Sequence, residues 1–430
     1  MFLAASVALV YFVCRSQLFA ATLVLLMFLL TDAIRDQFSL SVTVSGFRVS
    51  AVDIFCTVLI VIAAFRSVTV GVDNALLGIG WALALLLVFH AARGVADFGF
   101  QTAVNSVRPW LYFLAPLLFA STVPVPWGNR VWRLIACTGL VLVVVSVPYF
   151  FADGIHPASR LVVRNGHLIS DRPVTASGAL VILMTVVLLL ASRRLSPRAR
   201  IFWAAVAVAD IIALEQRTVW VASLAIGLVG FVAWSRRRLP QDERLVSGAT
   251  GVLLITAPIA LFGFFADKSF RASLAETTAK NSTFSWRTQS WQELVSSHHS
   301  ALDIASGGPA GASWARAVNG ILVTQAPHDA FVEAFLRFGV PGVALFGGLL
   351  IALWSRRTAL GASNVLPASA VGLILIAQVV FSVTYTLGPV QGLILGIFIS
   401  TLSLERAKAR YRVPARGQDG RAGHIAMGHQ

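Results

Sequence analysis

Residues 193–238 read RRLSPRARIFWAAVAVADIIALEQRTVWVASLAIGLVGFVAWSRRR, an apolar stretch between two basic clusters. Arg193, Arg194, Arg198 and Arg200 form the first cluster; Arg236, Arg237, Arg238 and Arg244 form the second. Short basic segments between apolar runs mark the cytoplasmic side of a bilayer, so both clusters belong there. The stretch Ile201 to Trp234 would be about 51 Å long as one helix at 1.5 Å per residue, too long for a single crossing. Two clusters on one side also require an even number of crossings. The chain must therefore turn back at Glu215-Gln216-Arg217, at or near the outer face.

Apolar runs of this kind recur from Phe2 to Leu404, separated by short polar turns. Hydrophobic residues make up 57% of the chain and charged residues 12%, with a mean hydropathy of +0.79. That lies far from the profile of a soluble domain. The runs are continuous rather than alternating, which excludes the pattern of a β-barrel. The expected fold is an all-α polytopic membrane protein. Spans fall near 2–14, 17–31, 51–65, 76–92, 107–121, 131–150, 174–191, 200–214, 217–234, 248–266, 334–354, 365–383 and 388–404. That makes twelve or thirteen crossings, since the first is short.

Carrying the parity along the chain puts Arg130, Arg133, Arg356, Arg357 and the tail from Arg406 to Arg421 inside. The same parity puts the longest connection outside. The expected organisation is transmembrane helices over 1–266, an extracytoplasmic helical cap over 267–330, further helices over 331–404, and a basic cytoplasmic tail over 405–430. In the cap, Trp286, Trp291 and Leu294 recur at helical spacing. A connection this long without function would be unusual.

The net charge of +15 is almost entirely arginine. Its clustering between apolar runs is explained by topology, so the partner implied is the lipid bilayer and not nucleic acid. Cys14, Cys56 and Cys137 all fall in expected spans, which leaves no disulfide framework and no zinc spacing. The N-terminus has neither a basic n-region nor a cleavage site, so no removed signal peptide is expected. Asp-x-Asp, a P-loop and a helix-opening Gly-x-Gly-x-x-Gly are all missing, so neither metal nor cofactor is expected. Any driving energy must arrive with the substrate.

Four residues stand out on the outer side. Arg217 sits near bilayer depth, where a cation usually faces a cavity or a partner. It could pair with Glu215 or Asp210, or it could grip a phosphate with its planar fork of donors. Arg287, in Ser285-Trp286-Arg287-Thr288-Gln289-Ser290-Trp291, is a second phosphate candidate, or else a solvated charge on a surface helix. Arg108, opening Arg108-Pro109-Trp110, is a third, for which interfacial anchoring is the plainer reading. His328, in Ala326-Pro327-His328-Asp329, precedes an apolar helix that Asp329 could cap. A neutral imidazole there could take the proton of a sugar hydroxyl. His298 and His299 are adjacent and point apart on a helix, with no third ligand at useful spacing.

Gln216-Arg217-Thr218, Ser285-Trp286-Arg287 and His328-Asp329-Ala330-Phe331 with Gly339 and Gly342 occur in the order and on the side seen in a known family. Together they resemble the O-antigen ligase and O-antigen polymerase family of bacterial membrane glycosyltransferases. Gln216 stands where that family usually has a small hydroxyl residue and Asp329 where it has Asn. The family's glycine-rich stretch is met only loosely, by Ser306-Gly307-Gly308-Pro309-Ala310-Gly311. The resemblance implies a GT-C-like helical fold in the bacterial cytoplasmic membrane. It also implies a metal-independent transfer from an undecaprenyl-diphosphate-linked glycan donor to a glycan or glycolipid acceptor. Arg217 and Arg287, with Arg108 as a further candidate, would hold the diphosphate, and His328 would activate the acceptor hydroxyl.

Two other readings compete. A GT-C transferase using a polyprenyl-monophosphate sugar would employ an acidic base early in the chain, where Asp32 and Asp36 lie. A lipid-glycan transporter would instead carry charges deep in several spans and pseudo-symmetric halves.

Overall fold

Helix after helix runs between two opposed ends in the computed structural model of the chain. The structure describes residues 12–13, 15–34, 41–44, 47–70, 74–124, 126–153, 161–164, 167–170, 172–235, 243, 246–255, 283–296, 300–318, 321–324, 326–362 and 366–411. Several sequence expectations therefore lie outside the described residues: the first span over most of its length, Arg35 and Asp36, Arg236 to Arg238, Arg244, the cap up to residue 282, His298 and His299, and the tail beyond Tyr411.

The first helices are α1 (Gln17–Phe28), α2 (Ala51–Val70), α3 (Ala75–Phe98), α4 (Phe100–Ser121) and α5 (Asn129–Asp153). Next come α6 (Ala176–Ala191), α7 (Pro197–Ala213), α8 (Arg217–Ser235) and a short α9 (Val246–Ile255). After them stand α10 (Thr283–Ser296), α11 (Ala301–Ser306), α12 (Ala330–Ser355), α13 (Arg357–Ala362), α14 (Ala368–Ser382) and α15 (Pro389–Tyr411). Three antiparallel hairpins interrupt them: β1–β2 (Ser41–Val44, Phe47–Ser50), β3–β4 (Leu161–Arg164, His167–Ser170) and β5–β6 (Arg316–Val318, Ile321–Val323).

Among the described residues, five helices are long and apolar enough to cross a membrane: Ala51–Thr69, Ala75–Phe98, Asn129–Phe151, Arg217–Ser235 and Ala330–Ser355. The apolar segments Gln17–Ala33, Ala176–Ala191, Val246–Ile255, Ala368–Ser382 and Pro389–Glu405 are shorter. Of these α6 is deeply enclosed, with fourteen of sixteen residues buried. A helix apolar all round is one buried on every side. Around it the outer helices keep large apolar side chains exposed, including Phe65 and Val68 on α2, Leu85 and Val88 on α3, and Leu224 and Leu228 on α8. Exposed apolar surface on this scale is what a bilayer covers.

The two ends of the bundle differ. At one end, Arg130 and Arg133 of α5 share a groove with Arg194 after α6 and Gln17 of α1. Arg357 lies there too by helix direction, lining a second groove with Ala368 at the start of α14. The other end, here the cap end, gathers all three hairpins with α10 and α11. There Ile34 bridges Val174, and Thr175 donates to the Asp32 carbonyl at 2.6 Å.

The turn expected at 215–217 is present. Ser196 caps α7 and Pro197 opens it, and the helix stops at Ala213 before α8 begins at Arg217. Trp220 Nε1 then donates to the Ile211 carbonyl at 3.0 Å and ties the two helices together. In α12 the run is broken at Gly339, whose φ of 65° and ψ of −159° are not helical. That glycine lies against α11, and a side chain there would meet the Ile304 carbonyl oxygen at 2.6 Å. The glycine-rich stretch 306–311 is thus a backbone plug. The Gly308 amide donates to the Leu336 carbonyl at 2.8 Å, and Arg93 and Arg337 donate to the carbonyls of Gly307 and Pro309.

Candidate functional site

Tyr385 occupies the short turn between α14 and α15, and side chains from two distant segments meet its ring. Phe381 stacks on it at 5.1 Å between centroids and 17° between planes, which fixes its orientation. From α10, the Arg287 guanidinium lies 5.1 Å from the ring centre, and its Nη1 donates to the Thr384 carbonyl at 3.3 Å. A cation over an aromatic face is held by the ring quadrupole. The His328 imidazole, just ahead of α12, stands 6.2 Å from the same ring. His328 is left to face this site because Asp329 takes the capping role, accepting from the amides of Phe331 and Val332 at 2.8 and 2.9 Å.

The α7–α8 turn joins through a residue not anticipated from sequence. Arg172, ahead of α6, donates to the Gln216 side-chain oxygen at 2.8 Å, and Gln216 donates in turn to the Val174 carbonyl at 3.3 Å. Arg172 lies within electrostatic reach of Tyr385, Glu215 and Arg217. Glu215 is buried and holds a φ of 48°, the left-handed region that a non-glycine residue seldom adopts. Such backbone strain concentrates at functional sites. Arg287, His328 and Arg172 are therefore gathered at Tyr385, and Arg217 joins this group through its electrostatic contact with Arg172. Among the described residues, the buried Nε of Arg172 and of Arg287 have no hydrogen-bond partner.

The electrostatics set the protonation states. Burial holds the His328 pKa below the ordinary histidine value, and the cations of Arg287 and Arg316 push it the same way. The imidazole is then neutral near pH 7 and able to accept a proton. Burial raises the Asp329 carboxyl to about 6, against the amides of Val332 and Phe331 and the Arg287 charge. Burial lowers Arg172, yet a guanidinium keeps its charge at any physiological pH. This end of the bundle can bind a polyanion and accept a proton beside it.

Residues 202–347 match the family model described as O-antigen ligase. The chain carries an O-antigen ligase family domain. By that domain it is a membrane enzyme of glycosyltransferase type. A comparison with curated proteins finds no match. Arg217, Arg287 and His328 all lie inside the matched O-antigen ligase segment, whereas Arg172 and Tyr385 come from the chain on either side of it.

Arg108 is not drawn to Tyr385 by any of these contacts. Its Nε and Nη2 donate to the two oxygens of Asp53 at 3.0 and 2.8 Å, its Nη1 donates to Asn105, and Tyr112 donates to Asp53 at 2.7 Å. Asp210, once a possible partner for Arg217, is engaged by Ser146. Among the described residues no group of three His, Cys, Asp or Glu side chains is arranged for a metal ion. One signal for Arg172 was present in the sequence: Asp171-Arg172-Pro173 opens an apolar run on the outer side, as Arg108-Pro109 does. Tyr385 gave none beyond its place in an outer turn.

Proposed function

We propose that the chain is a metal-independent glycosyltransferase of the O-antigen ligase or polysaccharide polymerase type. It moves a glycan from an undecaprenyl-diphosphate donor to an acceptor hydroxyl at the outer face of the bacterial cytoplasmic membrane. The bundle would make twelve or thirteen crossings in a GT-C-like arrangement, with residues 267–330 as the outer cap between the helices of 1–266 and 331–404. The tail 405–430 would lie inside. The convergence of Arg287 and His328 on Tyr385, with Arg172 in electrostatic reach of that ring and Arg217 in reach of Arg172, carries this reading. The basic ends of α5 and α6 lie at the opposite end of the bundle, which supports an outward-facing site.

In this reading Arg217 and Arg287 hold the donor diphosphate. Fixed guanidiniums stabilise the charge that grows on it as the glycosidic bond breaks. The neutral His328 accepts the proton of the acceptor hydroxyl as that oxygen attacks the anomeric carbon. Arg108, bound to Asp53, would contribute to the surrounding wall instead of the diphosphate clamp.

The test is incubation of the purified protein in nanodiscs with an undecaprenyl-diphosphate-linked glycan and candidate acceptors, followed by product sizing. A single size step marks a ligase and a growing ladder marks a polymerase. Movement of the donor across the bilayer without a new glycosidic bond would instead make the protein a transporter.

A further inference from the structure

Beside the arginine cluster lies a cavity of ≈ 310 Å³ between α1, α2, α4 and the start of α15. Its lining changes with depth. Val24, Phe55 and Pro116 make the inner wall, while Asp32, Asn105 and Ser177 stand toward the helix ends. At the end of α1 the helix widens into one π-turn, Leu29–Ala33, which carries Thr31 and Asp32 to the cavity. The Asp32 carboxyl accepts a hydrogen bond from Ser177.

Two backbone segments connect this cavity to the arginine cluster. Residues 172–177 begin at Arg172 and end at Ser177 on the cavity wall. Residues 384–389 begin with the carbonyl that Arg287 grips and end with Thr386, Leu387, Gly388 and Pro389 on the same wall. Thr386 on the cavity wall is two residues from Thr384, so the cavity lies close to the Arg287 contact.

Charge decides what fits. Arg108 is neutralised by both oxygens of Asp53, and Asp32, raised by burial to about 6, is still mostly ionised at pH 7 and leaves the polar end of the cavity negative. A phosphate is repelled there, whereas hydroxyl groups find acceptors and donors. Asn105 accepts from Arg108 through Oδ1, which leaves its NH2 as a donor. The volume is at the small end of the roughly 300–1,000 Å³ typical of ligand sites. It suits a ring better than a lipid chain.

We infer that this cavity seats an uncharged sugar ring of the substrate beside the diphosphate site, its hydroxyls bound by Asp32, Asn105 and Ser177. The inference rests on the transferase reading and deepens it. The ring belongs either to the donor glycan or to the acceptor, and kinetics separates the two.

The experiment uses full-length protein in nanodiscs and three variants: Asp32→Asn, Asn105→Ala and Val52→Trp, the last filling the cavity from α2. KM and kcat are measured for donor and acceptor separately. Saturation-transfer NMR follows binding of free glucose, galactose and N-acetylglucosamine. Asp32→Asn and Asn105→Ala should each raise the KM of one substrate about tenfold, the weight of one hydrogen bond to a charged or polar partner, with kcat within about twofold. Whichever KM moves identifies donor or acceptor. Val52→Trp should abolish saturation transfer. Unchanged KM values for both substrates overturn the inference. So does loss of kcat in Asp32→Asn at unchanged KM, which would make Asp32 a base. Should the wild type transfer no glycan, the transferase reading fails. The cavity would then stand or fall on whether sugars show saturation transfer that Asn105→Ala and Val52→Trp remove.

Discussion

Arg108 and Arg287 are the same residue type at the same end of the bundle, yet their surroundings assign them different work. Arg108 has a carboxylate partner in bidentate geometry and lies in a closed set of bonds with Asp53, Tyr112 and Asn105. Arg287 has a carbonyl, an aromatic ring and a buried Nε without an acceptor among the described residues. The first arrangement is complete and braces α2 against α4. The second holds a cation in place and leaves donor capacity for an anion that arrives from outside. On the proposed mechanism the fork matched to a carboxylate within the fold is a brace, and the one without such a match is the binding group.

The largest effect should come from the group proposed to accept the proton of the acceptor hydroxyl. His328→Ala should lower glycan transfer by about 10²- to 10⁴-fold, the range for loss of a general base, with unchanged expression and membrane insertion. Wild-type rates in that variant would remove the imidazole from the mechanism.

The two arginines should then separate. Arg287→Ala should cost about 10²-fold or more in transfer, as removal of a charge-stabilising donor does, while the melting temperature stays near wild type. Arg108→Ala should lower stability by about 1–3 kcal/mol, because Asp53 loses its charged partner. Equal loss of stability in both would erase the distinction drawn here.

A smaller effect reads out the field at His328. Arg316 donates to Ser290 and to the Trp314 carbonyl, and its charge helps depress the histidine. Removing it in Arg316→Gln makes the imidazolium less unfavourable, so the pKa of His328 rises. If His328 is the base proposed above, activity requires the neutral ring and falls as pH drops through that pKa. The acid limb of the kcat/KM profile should therefore lie below the ordinary histidine value of about 6.5 in the wild type and move to higher pH in Arg316→Gln. A limb that stays in place, or moves down, separates His328 from the titration.

The smallest effect is at the cap of α12. Asp329→Asn keeps an oxygen for the amides of Phe331 and Val332, so stability should change by no more than about 0.5 kcal/mol in thermal unfolding at pH 7. A larger loss would mean that the carboxylate charge, and not its acceptor geometry, organises the approach to His328.

How much of this was legible depended on whether the cause is local. The turn at 215–217 follows from helix length and the placement of arginines, both readable along the chain. Asp329 as a cap follows from its position before an apolar helix. The roles of Arg108 and Arg172 could not be told apart that way, since each precedes a proline at the start of an apolar run. Only the packing of α2 against α4 supplies Asp53 to one, and only the fold of the α7–α8 turn supplies Gln216 to the other. Tyr385 was invisible for the same reason: a ring in a six-residue turn gains meaning from helices distant in sequence. The enclosure of α6 and α14 likewise depends on neighbours distant in sequence, which composition does not record.

The most direct test measures binding of sugar-free undecaprenyl diphosphate to nanodisc-embedded wild type, Arg217→Ala, Arg287→Ala and, from the opposite end of the bundle, Arg130→Ala. Loss of one charge-assisted contact should weaken binding about tenfold or more in the first two variants and leave Arg130→Ala at wild-type affinity. Equal affinity across all four proteins would contradict a diphosphate site built around Tyr385.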